Sequence, residues 1–295
     1  VILDIEMPEM DGLTALPLII NKVPGIQVLM ASTLTRRNAD FSIRALSMGA
    51  VDYLPKPESA RSGSATADFQ RELLLKVKSI GAAMRKSRRA GAQTFVRPAH
   101  GAAGELPRAG IRTSTHSKEI VLRPHSKIRP DILAIGSSTG GPQALFALLG
   151  GLKKSITVPV VINQHMPPTF TAILAEHIYN STGIPAREAA HGDPLRNGEI
   201  LVAPGNYHMT VVRKGTDRVV HLDQNAQVNY CRPAVDPMFE SIAAIYGSGA
   251  LGVILTGMGH DGRDGGRKLV EAGGSIIAQD EKTSVVWGMP GAVAE

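Results

Sequence analysis

Short apolar runs alternate with helical stretches twice along this chain, and that alternation restricts the fold more than any other feature. In residues 1–87 the runs "VILDI", "IQVLMAS" and "VDYLPKP" read as buried strands. Between them lie "LTALPLIINKV", which Pro17 is expected to interrupt, and "ADFSIRALSMGA", closed by Gly49. Residues 67–87 then place Phe69, Leu73, Val77 and Ile80 at helical spacing. Residues 130–295 repeat the pattern, with strands at "DILAIG", "VPVVINQ", "EILVAPG", "ALGVILTG" and "GSIIAQD". Helices are expected at 142–151, 168–181, 236–247 and 262–273, and "HMTVVRK" with "RVVHLDQ" reads as a hairpin. Such alternation implies parallel sheets covered on both faces, with the hairpin making the second sheet mixed around a parallel core.

Between the two halves, residues 88–129 are rich in Gly, Ala, Pro, Arg and Ser and show little periodicity, which marks a linker. Residues 85–130 hold eleven Lys and Arg against two acids, Glu105 and Glu119, a local charge of +9 in a chain whose total is +6. The folded parts are therefore net acidic. Phe95 is the only aromatic in the basic stretch, so base stacking is not expected, and no nucleic-acid partner is inferred. A solvated linker is the preferred reading of the charge.

The length of 295 residues, a hydrophobic content of 43% and a mean hydropathy of +0.00 suit two globular domains. No apolar run reaches the roughly 18 residues of a membrane helix, and no secretory signal is present, so no membrane insertion is expected. The lone cysteine, Cys231, cannot form an internal disulfide, which fits a reducing compartment and a cytoplasmic location. The chain opens inside a strand and ends without a closing element, so truncation at both ends is expected.

The stretch "ILAIGSSTGGPQALFALLGGL", residues 132–152, turns from strand to helix through a glycine-rich corner. Such a corner can cradle a phosphate or present a serine. The phosphate reading lacks both the Gly-Lys-Ser/Thr of a P-loop and the dinucleotide fingerprint, and His165 stands where that fingerprint wants an acid. The serine reading gains from two other strand ends. Ligands of open α/β sheets sit at the carboxyl ends of the strands. There the sequence places Ser137 and Ser138, then Gln164 and His165, then His260 and Asp261.

A serine needs a base to take its proton, a histidine supplies one near neutral pH, and a carboxylate orients the imidazole. "G-S-S-T-G" at 136–140 also fits the G-x-S-x-G elbow, with Ser138 central and the Thr139 N–H as first oxyanion donor. The order Ser, His, Asp differs from that of the α/β-hydrolases. Each residue has an ordinary alternative: helix caps for Ser137 and Ser138, a core histidine for His165, a turn residue for Asp261. It is their joint placement that favours catalysis. His260 with Asp261 and Asp264 matches no zinc spacing, Cys231 reads as an incidental thiol, and Met166, Met209, Met238, Met258 and Met289 read as packing residues.

The blocks "IGSSTGG", "INQHMPPTFT", "LVAPGNYHM", "RPAVD", "GVILTGMGHDG" and "VVWGMP" resemble, in content and order, the bacterial chemotaxis protein-glutamate methylesterases of the CheB family. Residues 1–57 resemble the second half of a response-regulator receiver domain. The resemblance implies an α/β architecture: a partial, flavodoxin-like receiver at 1–87, a linker at 88–129, and a doubly wound, mostly parallel esterase domain at 130–295.

It also implies a phosphorylation-regulated hydrolase of receptor glutamate methyl esters that deamidates receptor glutamines. In that reading Ser138 is nucleophile, His165 base and Asp261 orienting acid, with Thr139 and Met258 near the oxyanion. Catalysis then needs no cofactor. In the receiver half Asp4 resembles the phospho-acceptor, Ser32 the hydroxyl that contacts the phosphate, Lys56 its lysine partner and Tyr53 the aromatic switch. Phosphorylation is expected to need Mg²⁺ at Asp4, with an acidic pair expected on a strand preceding Val1. The implied partners are methyl-accepting chemotaxis receptors and a chemotaxis histidine kinase. Two other functions stay open on the residues alone: a serine hydrolase of another ester, and a non-catalytic scaffold.

Overall fold

A computed structural model describes residues 1–33, 35–56, 63–92, 120, 122–123, 127–152 and 155–295, without the side chains of 63–66, 68 and 87–92. Most of the expected linker, Phe95 included, lies outside the described residues.

The N-terminal half forms a parallel three-stranded sheet in the order β1 (Ile2–Asp4), β2 (Leu29–Ser32), β3 (Asp52–Pro55). Helix α1 (Gly12–Lys22) starts where the Asp11 carboxylate accepts the Thr14 N–H at 2.7 Å. Thr35 caps α2 (Arg36–Ser47) in the same way through Asn38. Pro17 does not interrupt α1 as expected: it sits in the second turn, where its missing N–H leaves only the Leu13 carbonyl without a helical donor. Helix α3 (Gly63–Ala92) runs five residues into the stretch expected to be linker.

In the C-terminal half, β4 (Ile132–Ser137), α4 (Gly141–Leu152), β5 (Val160–Gln164), α5 (Phe170–Thr182), β6 (Ala186–Glu188) and β7 (Ile200–Val202) come first. The hairpin β8 (His208–Lys214) and β9 (Asp217–Asp223) follows. Then come α6 (Val235–Tyr246), β10 (Ala250–Ile254), α7 (Arg263–Glu271), β11 (Ser275–Ala278) and α8 (Met289–Ala294). The sheet order is β11-β10-β4-β5-β7-β6, and every pairing is parallel. The sheet is thus not mixed, contrary to expectation. Strand β6 takes the place beside β7, and the hairpin forms its own ladder against α6, where the Val211 N–H meets Ser241 Oγ at 3.0 Å.

Alternation along β4 divides the core between the two faces. Leu133 and Ile135 join Val160, Ile162, Leu145 and Phe170 on one side; Ile132 and Ala134 join Val161, Phe239 and Ile254 on the other. The first of these cores continues into the N-terminal half through Leu46, Ile43 and Tyr53. Helix α2 lies against α4 and α5. There Gln143 Nε2 donates to the Leu46 carbonyl at 2.9 Å, and the Tyr53 and Phe170 rings stack at 4.5 Å. The connections out of β4 and β10 diverge to opposite sides, so the strand order reverses between these two strands, where an open α/β sheet offers its binding crevice.

Candidate active site

Ser138 follows β4 at this switch point. Its backbone is stitched to the neighbouring strand ends: the Ser138 N–H donates to the Thr256 carbonyl at 3.1 Å, and Gln164 Nε2 donates to the Ser138 carbonyl at 2.9 Å. The two serines differ in what their hydroxyls can do. Ser137 is fully buried and donates to Gln164 Oε1 at 2.7 Å. Ser138 is half-buried, and its hydroxyl holds no hydrogen bond among the described residues. The corner is not the strained elbow of the α/β-hydrolases. The residue with left-handed backbone is Gly140, at φ +77°, and not Ser138. A Cβ on Gly257 would stand 3.0 Å from the Cβ of Ser138, which shows how closely the loop after β10 passes the serine.

That loop brings in Asp261, whose Oδ2 is 2.8 Å from Nε2 of His165, the residue following β5 by one position. The carboxylate is buried and saturated. Oδ2 also accepts the Val235 N–H at 2.6 Å, and Oδ1 accepts from Asn229 Nδ2 at 2.9 Å, Gly262 N at 3.1 Å and Asp236 N at 3.2 Å. A carboxylate only accepts, so Nε2 carries the hydrogen that is given to Asp261, and Nδ1 is turned away from the carboxylate. This is the reverse of the serine-protease arrangement.

Nδ1 faces Cys231 Sγ at 3.5 Å, so the thiol that reads as incidental in the sequence lies against the imidazole. Burial pulls the His165 pKa down, but the neighbouring Cys231 sulfur and the hydrogen bond that Nε2 donates to Asp261 outweigh it and raise the value to about 10. Burial pushes Asp261 up, yet the His165 hydrogen bond and charge, with the Val235 and Asn229 donors, hold it at about 2.

Thr139 lies buried beside Ser138; its carbonyl accepts from Thr256 Oγ1 at 2.9 Å, and its N–H makes no hydrogen bond among the described residues. Met258 stands in the loop after β10, but its sulfur accepts from Ser79 Oγ of α3 at 3.2 Å, and its side chain packs with Val51, Ile80 and Val286. Asp264 is half-buried and paired with Arg263, and His260 is exposed. No group of three or more His, Cys, Asp or Glu among the described residues could hold a metal.

In the N-terminal half Asp4 pairs with Lys56 at the ends of β1 and β3. Ser32 is buried and turned to Ser42 at 2.9 Å; since Ser42 donates to the Asn38 carbonyl, Ser32 is the donor of that bond. Tyr53 is buried in the stack on Phe170. Sequence reasoning missed Asn229 and Asp236, which share a hydrogen bond beside Asp261. No spacing rule flags them, because only the tertiary fold carries them to the triad candidates.

Fold and site together define a class: a receiver-like parallel unit joined to an α/β unit that gathers a serine, a histidine and an aspartate at three strand ends. Residues 133–295 match the family model for CheB methylesterase, and residues 1–67 match that for the response regulator receiver domain. The chain belongs to the CheB methylesterase family. It is 51% identical, over all of its length and 77% of the relative's, to "Protein-glutamate methylesterase/protein-glutamine glutaminase 1" of Rhodospirillum rubrum. To the protein of the same name in Paramagnetospirillum magneticum it is 52% identical, with the same coverage. Its structure is similar to the Thermotoga maritima CheB methylesterase catalytic domain, with a TM-score of 0.54 and 40% identity over 56% of this chain and 88% of that one.

Proposed function

We propose that this chain hydrolyses glutamate methyl esters of chemotaxis receptors, and deamidates receptor glutamines, through Ser138, His165 and Asp261. Family membership makes the chain a protein-glutamate methylesterase/protein-glutamine glutaminase regulated by phosphorylation of its receiver domain; the residue roles are the proposal. One observation carries them: an unbonded Ser138 hydroxyl follows β4, and the buried His165–Asp261 pair stands at the end of the neighbouring strand β5.

Ser138 Oγ adds to the ester carbonyl as its proton passes to His165 Nδ1. Asp261 holds Nε2 and stabilises the imidazolium. The oxyanion takes the Thr139 N–H. Collapse of the adduct expels methanol, protonated by His165, and leaves an acyl-Ser138 ester. Water, deprotonated by His165, then releases the glutamate. A glutamine follows the same route with ammonia as leaving group. Asp261→Asn should lose on the order of 10³-fold or more in methanol release from methylated receptor, because the imidazole loses its orienting charge. Asp264→Asn, at a half-buried residue whose one ion pair among the described residues is with Arg263, should stay within about threefold, as surface substitutions do. A larger loss in Asp264→Asn would overturn the assignment.

The regulatory half is read with Asp4 as phospho-acceptor, Lys56 as its partner, Ser32 as the hydroxyl that turns to the phosphate and Tyr53 as the aromatic switch. A histidine kinase supplies the phosphoryl group, and the setting is the cytoplasm, where receptors present their methylated segments. Among the described residues no helix is long and apolar enough to cross a membrane. Receiver phosphorylation draws on Mg²⁺, and Asp4 fits such an ion as one carboxylate ligand. With Lys56 already paired to it and no metal-binding cluster among the described residues, Asp4 alone does not make the cage. The chain is divided in this reading into a receiver unit at 1–87, a linker at 88–129 and an esterase unit at 130–295, although α3 runs on to Ala92.

A further inference from the structure

Between β9 and α6 the chain makes a two-residue hairpin loop. Val228 and Cys231 exchange N–H···O bonds at 3.2 and 2.9 Å, and the residues between them, Asn229 and Tyr230, have φ of +52° and +62°. Two consecutive left-handed residues make a type I′ turn. Asn suits its first position, whereas the second is ordinarily glycine and is here a tyrosine whose side chain is 81% exposed. Strain of this kind persists where the surroundings over-determine it.

What determines it is the Asn229 amide. Its Nδ2 lies 2.7 Å from Asp236 Oδ2 and 2.9 Å from Asp261 Oδ1. Only a donor can sit between two carboxylates, so both amide hydrogens are spent, one on each. Asp236 Oδ1 in turn accepts the Gly265 N–H at 2.7 Å, at the start of α7. Among the described residues Asn229 is thereby the only side chain other than His165 on the Asp261 carboxylate; the other donors found there are backbone.

We propose that Asn229 is a positioning residue for the hydrolysis: by bridging Asp236 and Asp261 it fixes the Asp261 carboxylate with Oδ2 toward His165 and keeps Asp236 from repelling it. The inference rests on the triad reading above. Without the bridge, two buried carboxylates face one another with no donor between them, and their repulsion turns Asp261 Oδ2 away from His165. A displaced Asp261 no longer orients the imidazole or stabilises its cation. The expected signature is a loss in kcat with KM unchanged, relieved when Asp236 loses its charge.

The test uses the full chain and methyl-labelled receptor membranes. Asn229→Gly removes the amide while keeping a residue that favours the left-handed turn, so the loop is preserved. The expected result is a fall in kcat of about 10- to 100-fold, the size seen when groups orienting metal ligands are removed, with KM within twofold. Asn229→Gly combined with Asp236→Asn is expected to recover at least threefold of that loss. An unchanged kcat, a fall confined to KM, or a double variant no better than Asn229→Gly would overturn the proposal. Asn229→Ser, with a shorter donor, keeps the test open if the glycine variant unfolds: it is expected to fall between wild type and the glycine pattern, and a wild-type kcat in a folded Asn229→Ala variant overturns the proposal. Ser138→Ala measured alongside separates the two readings. Activity retained there sinks the triad itself, whereas an inactive Ser138→Ala beside a fully active Asn229→Gly sinks only the role of Asn229.

Discussion

His165 turns Nε2 to Asp261, and its Nδ1, the nitrogen proposed to take the Ser138 proton, faces the Cys231 thiol. The folded chain holds the His165 proton up to about 10 against an ordinary 6.5, so it binds that proton more tightly than the unfolded chain does. The resulting stability is complete below pH 6.5 and fades as pH climbs toward 10. Asp261, depressed from 3.8 to about 2, contributes stability above 3.8 that is lost as pH falls through 2. For catalysis the sign runs the other way, because the base must be neutral. Among the groups that raise His165, Cys231 comes first. Cys231→Ala should therefore lower the His165 pKa and move the acid limb of the kcat profile to lower pH, each unit bringing about tenfold more neutral base below the midpoint. A limb that stays in place, or moves upward, in a pH series of esterase rates would contradict this role. None of this was legible in "NYCRPAVD". Ser138, His165 and Asp261 stand out because each closes an apolar run that reads as a strand. Cys231, Asn229 and Asp236 occupy a turn and a helix start whose position depends on contacts remote in sequence.

Among the elements, parallel strands were the most readable, since burial on both faces leaves continuous apolar runs such as β4 and β5. The three-residue, half-buried "ARE" of β6 carries no such signal, and its presence beside β7 is what sends the hairpin elsewhere. Helix α8 is six residues with a proline at its second position, too short for periodicity to show. Helix α3 was readable as a helix, but not in its destination. It passes the candidate site, with the Arg71 guanidinium 5.3 Å from the centre of the Tyr230 ring and Ser79 on the sulfur of Met258. An exposed cation–π contact contributes about 0.5–1 kcal/mol. Arg71→Ala should thus shift the balance toward an uncovered site and raise the basal esterase rate about two- to fivefold. A basal rate that is unchanged or lower in steady-state methanol release would show that α3 does not restrain access there.

At the scale of the whole molecule, one core runs from the N-terminal sheet through α2, α4 and α5 to the main sheet. The Tyr53–Phe170 stack joins the expected switch residue to the helix that begins five residues after His165. On the proposed reading, this stack is a route by which phosphorylation at Asp4 alters how the site is covered. All of this presupposes that the corner after β4 delivers a nucleophile. The most direct measurement is methanol release from methyl-labelled receptor membranes by Ser138→Ala and Ser137→Ala, each shown to be folded by its thermal unfolding. Background release is expected for Ser138→Ala. For Ser137→Ala, whose lost hydroxyl braces Gln164, most of the wild-type rate is expected. Wild-type release by Ser138→Ala would contradict the mechanism outright.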